Sequence, residues 1–568
     1  MALTVEFGNI IDPPTVFPEE QGKLEITVTN QGDENVTGAT LNLYASTDIV
    51  LDDDDLNIIG DTIEGTNVEK LDGIDELLGE ISGVNLAAGE TSTFTIDFAS
   101  DDFRTASVVS PGAYNLIAEV DADNDSQDND IAVLPVTSDD VVLVWNSVFL
   151  NAVQAEGKAD IAAGVDLEDN ENSIEFIPGV APPIEARDGA ILHLAIYDAV
   201  YALSDDPRST DIVELPDAPA EASQEAAAVG AAYTVLSALF PEQQATFEQQ
   251  RISSLAEIND DPAAEEAGFD FGVEVAQALL TERSDDRTDR AQVSFEPGTA
   301  AGDYQEYVEE RQEPDNKVAA LLPEWDRVTP FAIDRASTFR PPGQPDFSSP
   351  NYAKDLLEVQ RLGELTSTER TEDQTEIAQF WSYDRPDTFR PPGQWNQIAQ
   401  EVSIDQSKSL EDNALLFAEL NVAMADAGIV TWDAKYAFDQ LRPVTAIRGI
   451  VDDNNPNTEP DPDWEPLLPT PNFPDYISGH SAFGGAAAGV LEDFFGTDVS
   501  FKIPTQELPG VYREFTSMGS MSSFELAARE NAVSREFGGV HVEISNADGV
   551  DVGQNVANFV VNESDLFA

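Results

Sequence analysis

The chain contains three histidines, and two of them, His480 and His541, fall in one C-terminal stretch that also carries arginine and many glycines. His480 follows Ser478-Gly479 and opens a run of small residues over 481–490, which reads as a tightly packed helix. A Ser-Gly turn feeding a helix N-terminus presents backbone N–H groups without partners at the positive end of the helix dipole, a ready seat for an anion. His541 closes a segment opened by Ser534-Arg535, with Arg535 and His541 six residues apart. Upstream, Lys435 and Arg442 stand seven apart, and Pro443 follows. Seven residues make two helical turns, so the spacing predicts that both cations project from one helix face. Together these segments supply three cations (Lys435, Arg442, Arg535), the Ser478 hydroxyl and Gly479 amide as neutral donors, and two imidazoles. That set suits a tetrahedral oxyanion whose charge is spread over several oxygens.

The elements that must position these groups divide into two kinds. Residues 1–138 hold only three basic residues (Lys23, Lys70, Arg104) and neither Trp nor His. Short alternating runs at 23–29, 37–44, 92–98 and 114–120 are separated by turn clusters such as 30–33 and 52–55, a period-2 pattern that predicts an antiparallel, immunoglobulin-like β-sandwich. From Val141 the pattern turns helical: an amphipathic stretch starts at 144–149, and 190–203, 223–240, 268–280 and 413–429 are Ala- and Leu-rich with apolar residues three and four apart. Connections are Pro- and Asp-rich, notably 452–474. The expected architecture is therefore multidomain: an all-β sandwich over 1–138, then a large all-α helical-bundle catalytic domain over 139–568. A seven-residue echo, TFRPPGQ at 338–344 and 388–394, raises the question of two related halves. The acidic run 121–125 invites a calcium reading, but it lacks the Gly and Glu of an EF-hand loop and reads better as a solvated turn.

Composition narrows the function classes. Of 568 residues, 109 are Asp or Glu and 28 are Lys or Arg, a formal charge of −81 that repels nucleic acid and anionic membranes. The absence of cysteine excludes disulfide scaffolds, Cys-ligated zinc, iron–sulfur clusters and Cys nucleophiles. No unbroken run of about 18 apolar residues is present, so no membrane span is expected. The N-terminal segment has neither a basic region nor a long apolar one, so no cleavable signal is visible. Such acidity fits export to the cell surface or exterior without a cleaved signal, or the cytoplasm of a high-salt organism, where screening tolerates the charge.

The order Lys-x6-Arg-Pro, Ser-Gly-His, Ser-Arg-x5-His resembles the three-part signature shared by vanadium-dependent haloperoxidases and the type-2 phosphatidic acid phosphatase superfamily. Segments 191–199, 370–381 and 391–396 look like bacterial haloperoxidase segments too, so the likeness spans roughly 140–567. The N-terminal part is similar to bacterial cell-adhesion-related (CARDB-like) sandwich domains. The resemblance implies vanadate as cofactor, with hydrogen peroxide, a halide and an unidentified organic acceptor as reaction partners. It implies that His541 bonds the vanadium, that Lys435, Arg442, Arg535, Ser478 and the Gly479 amide hold the oxyanion, and that His480 is the acid–base group. Lys435 would also polarise the bound peroxide. The family usually has Pro before Ser-Gly-His, where Ile477 stands here, which loosens the restraint on that turn.

Trp432 and Phe473 match aromatic positions of chloroperoxidase-type members, where bromoperoxidase-type members carry His at the second. The resemblance thus implies an apolar halide pocket and leans towards chloride, with bromide also used. Two other functions stay open: a soluble acid phosphatase on the same site, with His541 as nucleophile and His480 protonating the leaving group, and a non-catalytic adhesion or surface protein. His193, in an apolar helix, is assigned to packing. Asp439 and Asp475 lie near the motifs and could orient an Arg or the acid–base His; neither is assigned.

Overall fold

The structure, a computed structural model, describes residues 3–12, 21–30, 36–46, 76–87, 90–99, 113–121, 130–137, 140–162 and 179–567, the last range without 211, 301, 306–318, 344–345, 451–454 and 509–510. The acidic run proposed for calcium lies, beyond Asp121, outside these residues, as do the turn clusters after Asn30 and at 52–55. Two compact units emerge: Met1–Val148 with Pro504–Val511, and Phe149–Ile503 with Tyr512–Ala568.

Among its described residues the N-terminal unit has seven strands, β1 (Leu3–Asp12), β2 (Gln21–Asn30), β3 (Val36–Ser46), β4 (Glu76–Leu86), β5 (Thr91–Ala99), β6 (Ala113–Asp121) and β7 (Asp130–Thr137). They form two antiparallel sheets, ordered β1-β2-β5 and β4-β3-β6-β7. Alternation in β2 puts Ile26, Val28 and Asn30 inside, while Thr27 and Thr29 face out to pair with Thr93 (3.1 Å) and Thr91 (2.9 Å) of β5. Buried Asn30 donates to the carbonyls of Leu86 (3.3 Å) and Ala87 (3.2 Å) and so fastens β2 to the end of β4.

Beyond it the described residues are mostly helical: α1 (Val141–Ala162), α2 (Pro182–Tyr201), α3 (Gln224–Leu239), α4 (Gln244–Glu257), α5 (Pro262–Arg283), α6 (Pro350–Leu362), α7 (Glu372–Phe380), α8 (Arg390–Asp405), α9 (Leu410–Phe438), α10 (Pro443–Ile447), α11 (Gly479–Phe495), α12 (Ser523–Phe537) and α13 (Glu543–Asn558). The all-α expectation needs one correction. A two-stranded hairpin, β8 (Ser500–Pro504) and β9 (Tyr512–Thr516), interrupts the helices. Each of its strands is five residues long, too short for periodicity to reveal.

One described helix bears on the expectation of no membrane span. Helix α9 is long and apolar enough to cross a bilayer, yet 94% of its most apolar 18-residue window is buried inside the domain, so it serves as the core helix. It starts on a capping box between Ser409 and Asp412. The run of small residues after His480 does pack tightly. A Cβ on Gly485 of α11 would lie 2.4 Å from the Val550 carbonyl oxygen, and one on Gly553 of α13 would lie 2.2 Å from that of Ala482. These two helices therefore touch backbone to backbone. The TFRPPGQ echo has no matching structure: the second copy enters α8, whereas the first leaves a short 3-10 turn at Ala336–Thr338 into a loop.

Candidate active site

Lys435 lies in the last turn of α9, but Arg442 does not share its helix. Asp439 adopts a left-handed conformation (φ 52°, ψ 41°) and its N–H caps the Lys435 carbonyl, which ends α9 at Phe438. Arg442 is instead the N-cap residue of α10. The expectation of one shared helix face is thus wrong in its geometry; the two cations meet because the chain turns, and both are fully buried. Lys435 Nζ donates to the carbonyls of Pro474 (2.9 Å) and Asp475 (3.2 Å), and Arg442 Nε donates to that of Phe473 (2.7 Å). One segment, 473–475, therefore anchors both.

That segment leads into the Ser-Gly-His turn. The Tyr476–Ile477 peptide is cis, Ser478 is the N-cap of α11, and Gly479 and His480 form its first turn. Ser478 Oγ accepts from the Ser481 amide at 3.4 Å, and the Ser478 amide donates to the Ser545 carbonyl at 3.0 Å. Arg535, in the last turn of α12, and His541, just before α13, are joined by a bend through Gly538 and Gly539. Gly539 has φ +82°, and a Cβ there would lie 2.6 Å from the Gly363 carbonyl oxygen, so no larger residue fits. The amides of Val540 (3.0 Å) and His541 (3.3 Å) fold back onto the Arg535 carbonyl.

These turns bring His541 against Arg442: Arg442 Nη1 lies 3.2 Å from His541 Nε2 and donates to the Val540 carbonyl at 2.8 Å. Arg442 Nη2 and Arg535 Nε and Nη1 are buried with no hydrogen-bond partner. Burying a cation costs several kcal/mol unless its donors are satisfied. A cluster of buried cations with vacant donors is chemically incomplete without an anion, so the donor set fits a tetrahedral oxyanion such as vanadate or phosphate.

The electrostatics agree. Burial, then the neighbouring Arg442, push Lys435 well below its ordinary value. Burial lowers Arg442 to about 10. Burial, reinforced by Arg442, Lys435 and Arg535, holds His541 far below the usual histidine range, so it is neutral. Burial raises Asp475 to about 7 against the pull of Arg442 and Lys435.

His480 is brought into the same cluster by its ties to Arg535. Its Nε2 lies 2.7 Å from the Ser382 carbonyl, which can only accept, so Nε2 carries the proton and the lone pair sits on Nδ1. Burial, with Arg535 and Lys435 adding to it, lowers its titration to about 4 against the opposing effects of Asp384 and the Ser382 carbonyl. Asp384 Oδ2 accepts from Arg535 Nη2 at 2.6 Å, and its Oδ1 stands 3.9 Å from His480 Nε2. Burial works against Asp384 ionising, but Arg535 and His480 outweigh it and keep the carboxyl below its ordinary range.

Trp432 and Phe473 stand together beside this cluster, with ring centroids 5.2 Å apart. Lys435 Nζ is 4.7 Å from the Phe473 centroid and Arg442 Cζ is 4.8 Å from it. The Trp432 indole N–H is used by the Leu321 carbonyl at 3.2 Å. All the residues singled out in the sequence thus lie in one connected set, except two. Asp439 ends α9 and takes the Tyr304 amide on its carbonyl (2.7 Å), and His193 stacks on Phe417 (5.1 Å) in the core, where burial lowers it to about 3. Asp384 was missed. It sits in an irregular Pro- and Arg-rich loop 151 residues from its partner, and nothing in its spacing signals the contact.

Comparison with known proteins gives matches to both parts of the chain. Residues 415–567, which include every residue of the set from Lys435 to His541, match the family described as the VCPO second helical-bundle domain, and residues 2–130 match CARDB. The vanadium chloroperoxidase of Curvularia inaequalis is 25% identical over 476 residues, 66% of this chain and 76% of that protein. A bacterial vanadium-dependent iodoperoxidase structure superimposes with a TM-score of 0.59 at 27% identity, covering 73% of this chain and 94% of that one. An apo-type bacterial vanadium-dependent chloroperoxidase shares the fold at 16% identity, with a TM-score of 0.52 over 67% of this chain and 92% of that one.

Proposed function

The chain joins a helical domain of the vanadium haloperoxidase family to an N-terminal CARDB domain, and we propose that it is a vanadate-dependent haloperoxidase that oxidises chloride or bromide with hydrogen peroxide. One observation carries the reading: the unpartnered, buried donors of Arg442 and Arg535 stand beside a neutral His541. Arg442, Arg535, Lys435, the Ser478 hydroxyl and the Gly479 amide would hold the vanadate oxygens, and His541 Nε2 would bond the metal. Bound there, vanadate supplies a Lewis acid that activates peroxide without changing its own oxidation state.

The rest of the work falls to side chains. The balanced reaction, H2O2 + X− + H+ giving HOX and water, consumes one proton per turnover, and a proton must also move from the incoming peroxide to the departing oxygen. His480 is neutral, with its lone pair on Nδ1, so it can accept a proton from incoming peroxide and return it to the departing oxygen. An anion in the site offsets the Arg535 and Lys435 charges and moves His480 towards neutrality of exchange, where both steps run near neutral pH. Asp384 fixes the Arg535 guanidinium and favours the protonated ring. Trp432 and Phe473 strip water from the halide and exclude it from Lys435. The solved relatives are named for chloride and for iodide; the aromatic pair supports chloride here.

We place the boundary between the two parts at 138/139, between the end of β7 and the start of α1, and read the two N-terminal sheets as an immunoglobulin-like sandwich with an interaction or spacer role. Halogenation of a diketone reporter by the purified chain, with peroxide and chloride or bromide, tests the function. Turnover that needs orthovanadate, is inhibited by phosphate and disappears in His541→Ala is the expected result. Hydrolysis of a phosphate ester, blocked by vanadate and without halogenation, would assign the site to phosphatase chemistry instead.

A further inference from the structure

Asp475 is the one fully buried carboxylate that touches the ring of His541, and the Ser-Gly-His signature does not include it. Its Oδ1 lies 2.6 Å from His541 Nδ1 and 3.9 Å from Arg442 Nη1. Its other oxygen accepts from Gln440 Nε2 at 3.1 Å, and Gln440 is itself fully buried. The backbone of Asp475 is held as firmly: its N–H donates to the Gln440 carbonyl (3.0 Å), and its carbonyl accepts from Ser545 Oγ (3.0 Å) and Lys435 Nζ (3.2 Å). Swinging this carboxylate away from the imidazole would break its bond from Gln440 Nε2.

A second contact fixes what the first does. An arginine N–H can only donate, so Arg442 Nη1, 3.2 Å from His541 Nε2, requires a lone pair on Nε2. The proton of the neutral ring must then sit on Nδ1, the nitrogen 2.6 Å from Asp475 Oδ1, an ion-pair contact out of line for a hydrogen bond. The two contacts, one at each ring nitrogen, thus select the same tautomer. Ser545 Oγ, 3.4 Å from Nδ1, is already committed as a donor to the Asp475 carbonyl and is the weaker acceptor.

We propose that Asp475 is the positioning residue of His541, holding the proton on Nδ1 so that Nε2 keeps its lone pair for the oxyanion site and gains donor strength from the negative charge beside Nδ1. The proposal deepens the haloperoxidase reading, but its central claim concerns the ring itself. A carboxylate–imidazole pair would serve a nucleophilic His541 in a phosphatase equally well. A histidine bound to a metal gains basicity from such a partner, whose loss typically weakens metal affinity by about 10–100-fold.

The test uses the full chain labelled with 15N in histidine only, without vanadate, at mildly alkaline pH. Three histidines give three ring systems, and His541 is identified by the signal lost in His541→Gln. The expected spectrum shows His541 protonated on Nδ1, with that proton shifted downfield by the carboxylate beside it. Asp475→Ala is expected to lose the downfield position and to bind orthovanadate about 10–100-fold more weakly in equilibrium dialysis. Asp475→Asn, which keeps an acceptor oxygen without the charge, is expected to lie between. A proton on Nε2 in the unsubstituted protein overturns the proposal even if no variant folds, and so does a ring signal unmoved in a folded Asp475→Ala. Because the ring readout needs neither vanadate nor halide, a chain without halogenating activity but with the Nδ1 signature would leave the role of Asp475 intact and overturn only the reaction.

Discussion

Arg535 and Asp384 stand 151 residues apart in the chain and meet through a 2.6 Å contact between Nη2 and Oδ2. The pair links the vacant Arg535 donors to His480, the acid–base group we propose, because the other Asp384 oxygen lies 3.9 Å from His480 Nε2. Asp384 favours the charged imidazole, so removing it lowers the His480 titration further. In Asp384→Asn the acid limb of the pH–rate profile is expected to move to lower pH by about one unit, the size of effect that a partly exposed charge pair supports. An unmoved limb would show that Asp384 acts on Arg535 alone.

Vacant buried donors also make a stability prediction that needs no turnover. An anion that binds only the folded chain stabilises it by about 2.7 kcal/mol at a hundredfold excess over its dissociation constant. Orthovanadate, and less strongly phosphate, should raise the thermal midpoint of the chain in calorimetry. Arg442→Ala and His541→Ala should abolish the rise, since the first removes the vacant Nη2 donor and the second the imidazole we propose bonds the vanadium.

Much of this site could be read from residue types and spacing, and the remainder shows where such reading stops. Ser478, Gly479 and His480 needed only local rules, because a Ser N-cap and the helix behind it are both written in adjacent residues. The β2, β3, β5 and β6 strands and helices α2, α3, α5 and α9 were likewise legible from periodicity. Lys435 and Arg442 were paired correctly for an incorrect reason: a non-glycine residue, Asp439, takes the left-handed cap that ends α9. Asp384 and the bonding of Asp475 are tertiary facts, set by loops whose partners lie 151 and 66 residues away (541 − 475). The β8–β9 hairpin was hidden by its length.

The aromatic pair makes a selectivity prediction. Chloride holds its water more tightly than bromide, so it depends more on a dry, apolar wall. Phe473 is partly exposed, whereas Trp432 is buried and its indole N–H is taken by Leu321. Phe473→Ser opens the wall to water while leaving the backbone carbonyl that Arg442 uses. The ratio of chloride to bromide turnover is expected to fall about tenfold, equivalent to a barrier difference of about 1.4 kcal/mol. An unchanged ratio would remove Phe473 from halide selection.

Packing between α11 and α13 sets the frame for both histidines. A Cβ on Gly553 would stand 2.2 Å from the Ala482 carbonyl oxygen and 2.5 Å from the Ala486 nitrogen, both backbone atoms that cannot move aside cheaply. Gly553→Ala should therefore destabilise the helical domain by about 1–3 kcal/mol, seen as a lower thermal midpoint. Vanadate affinity should fall with it, because α13 follows directly on His541 and α11 carries His480. A variant with unchanged midpoint would mean that the two helices are less tightly apposed than this geometry requires.

Buried acids in the core give a pH dependence of defined sign. Burial, with Asp493 adding to it, pushes Glu419 of α9 up to about 8. In the unfolded chain this carboxyl ionises near its ordinary value of 4.5. Between those two values the folded chain holds a proton that the unfolded chain has released, so stability falls as pH rises, and above about 8 the penalty is complete and constant. Glu419→Gln stays neutral throughout. Its stability should match that of the unsubstituted chain at the acid end of this window and exceed it increasingly towards the alkaline end, by an amount on the order of 5 kcal/mol. The measurement is a pair of thermal melts at several pH values in the same salt. A constant difference between the two proteins across the window would show that Glu419 ionises in the folded state as it does in the unfolded one.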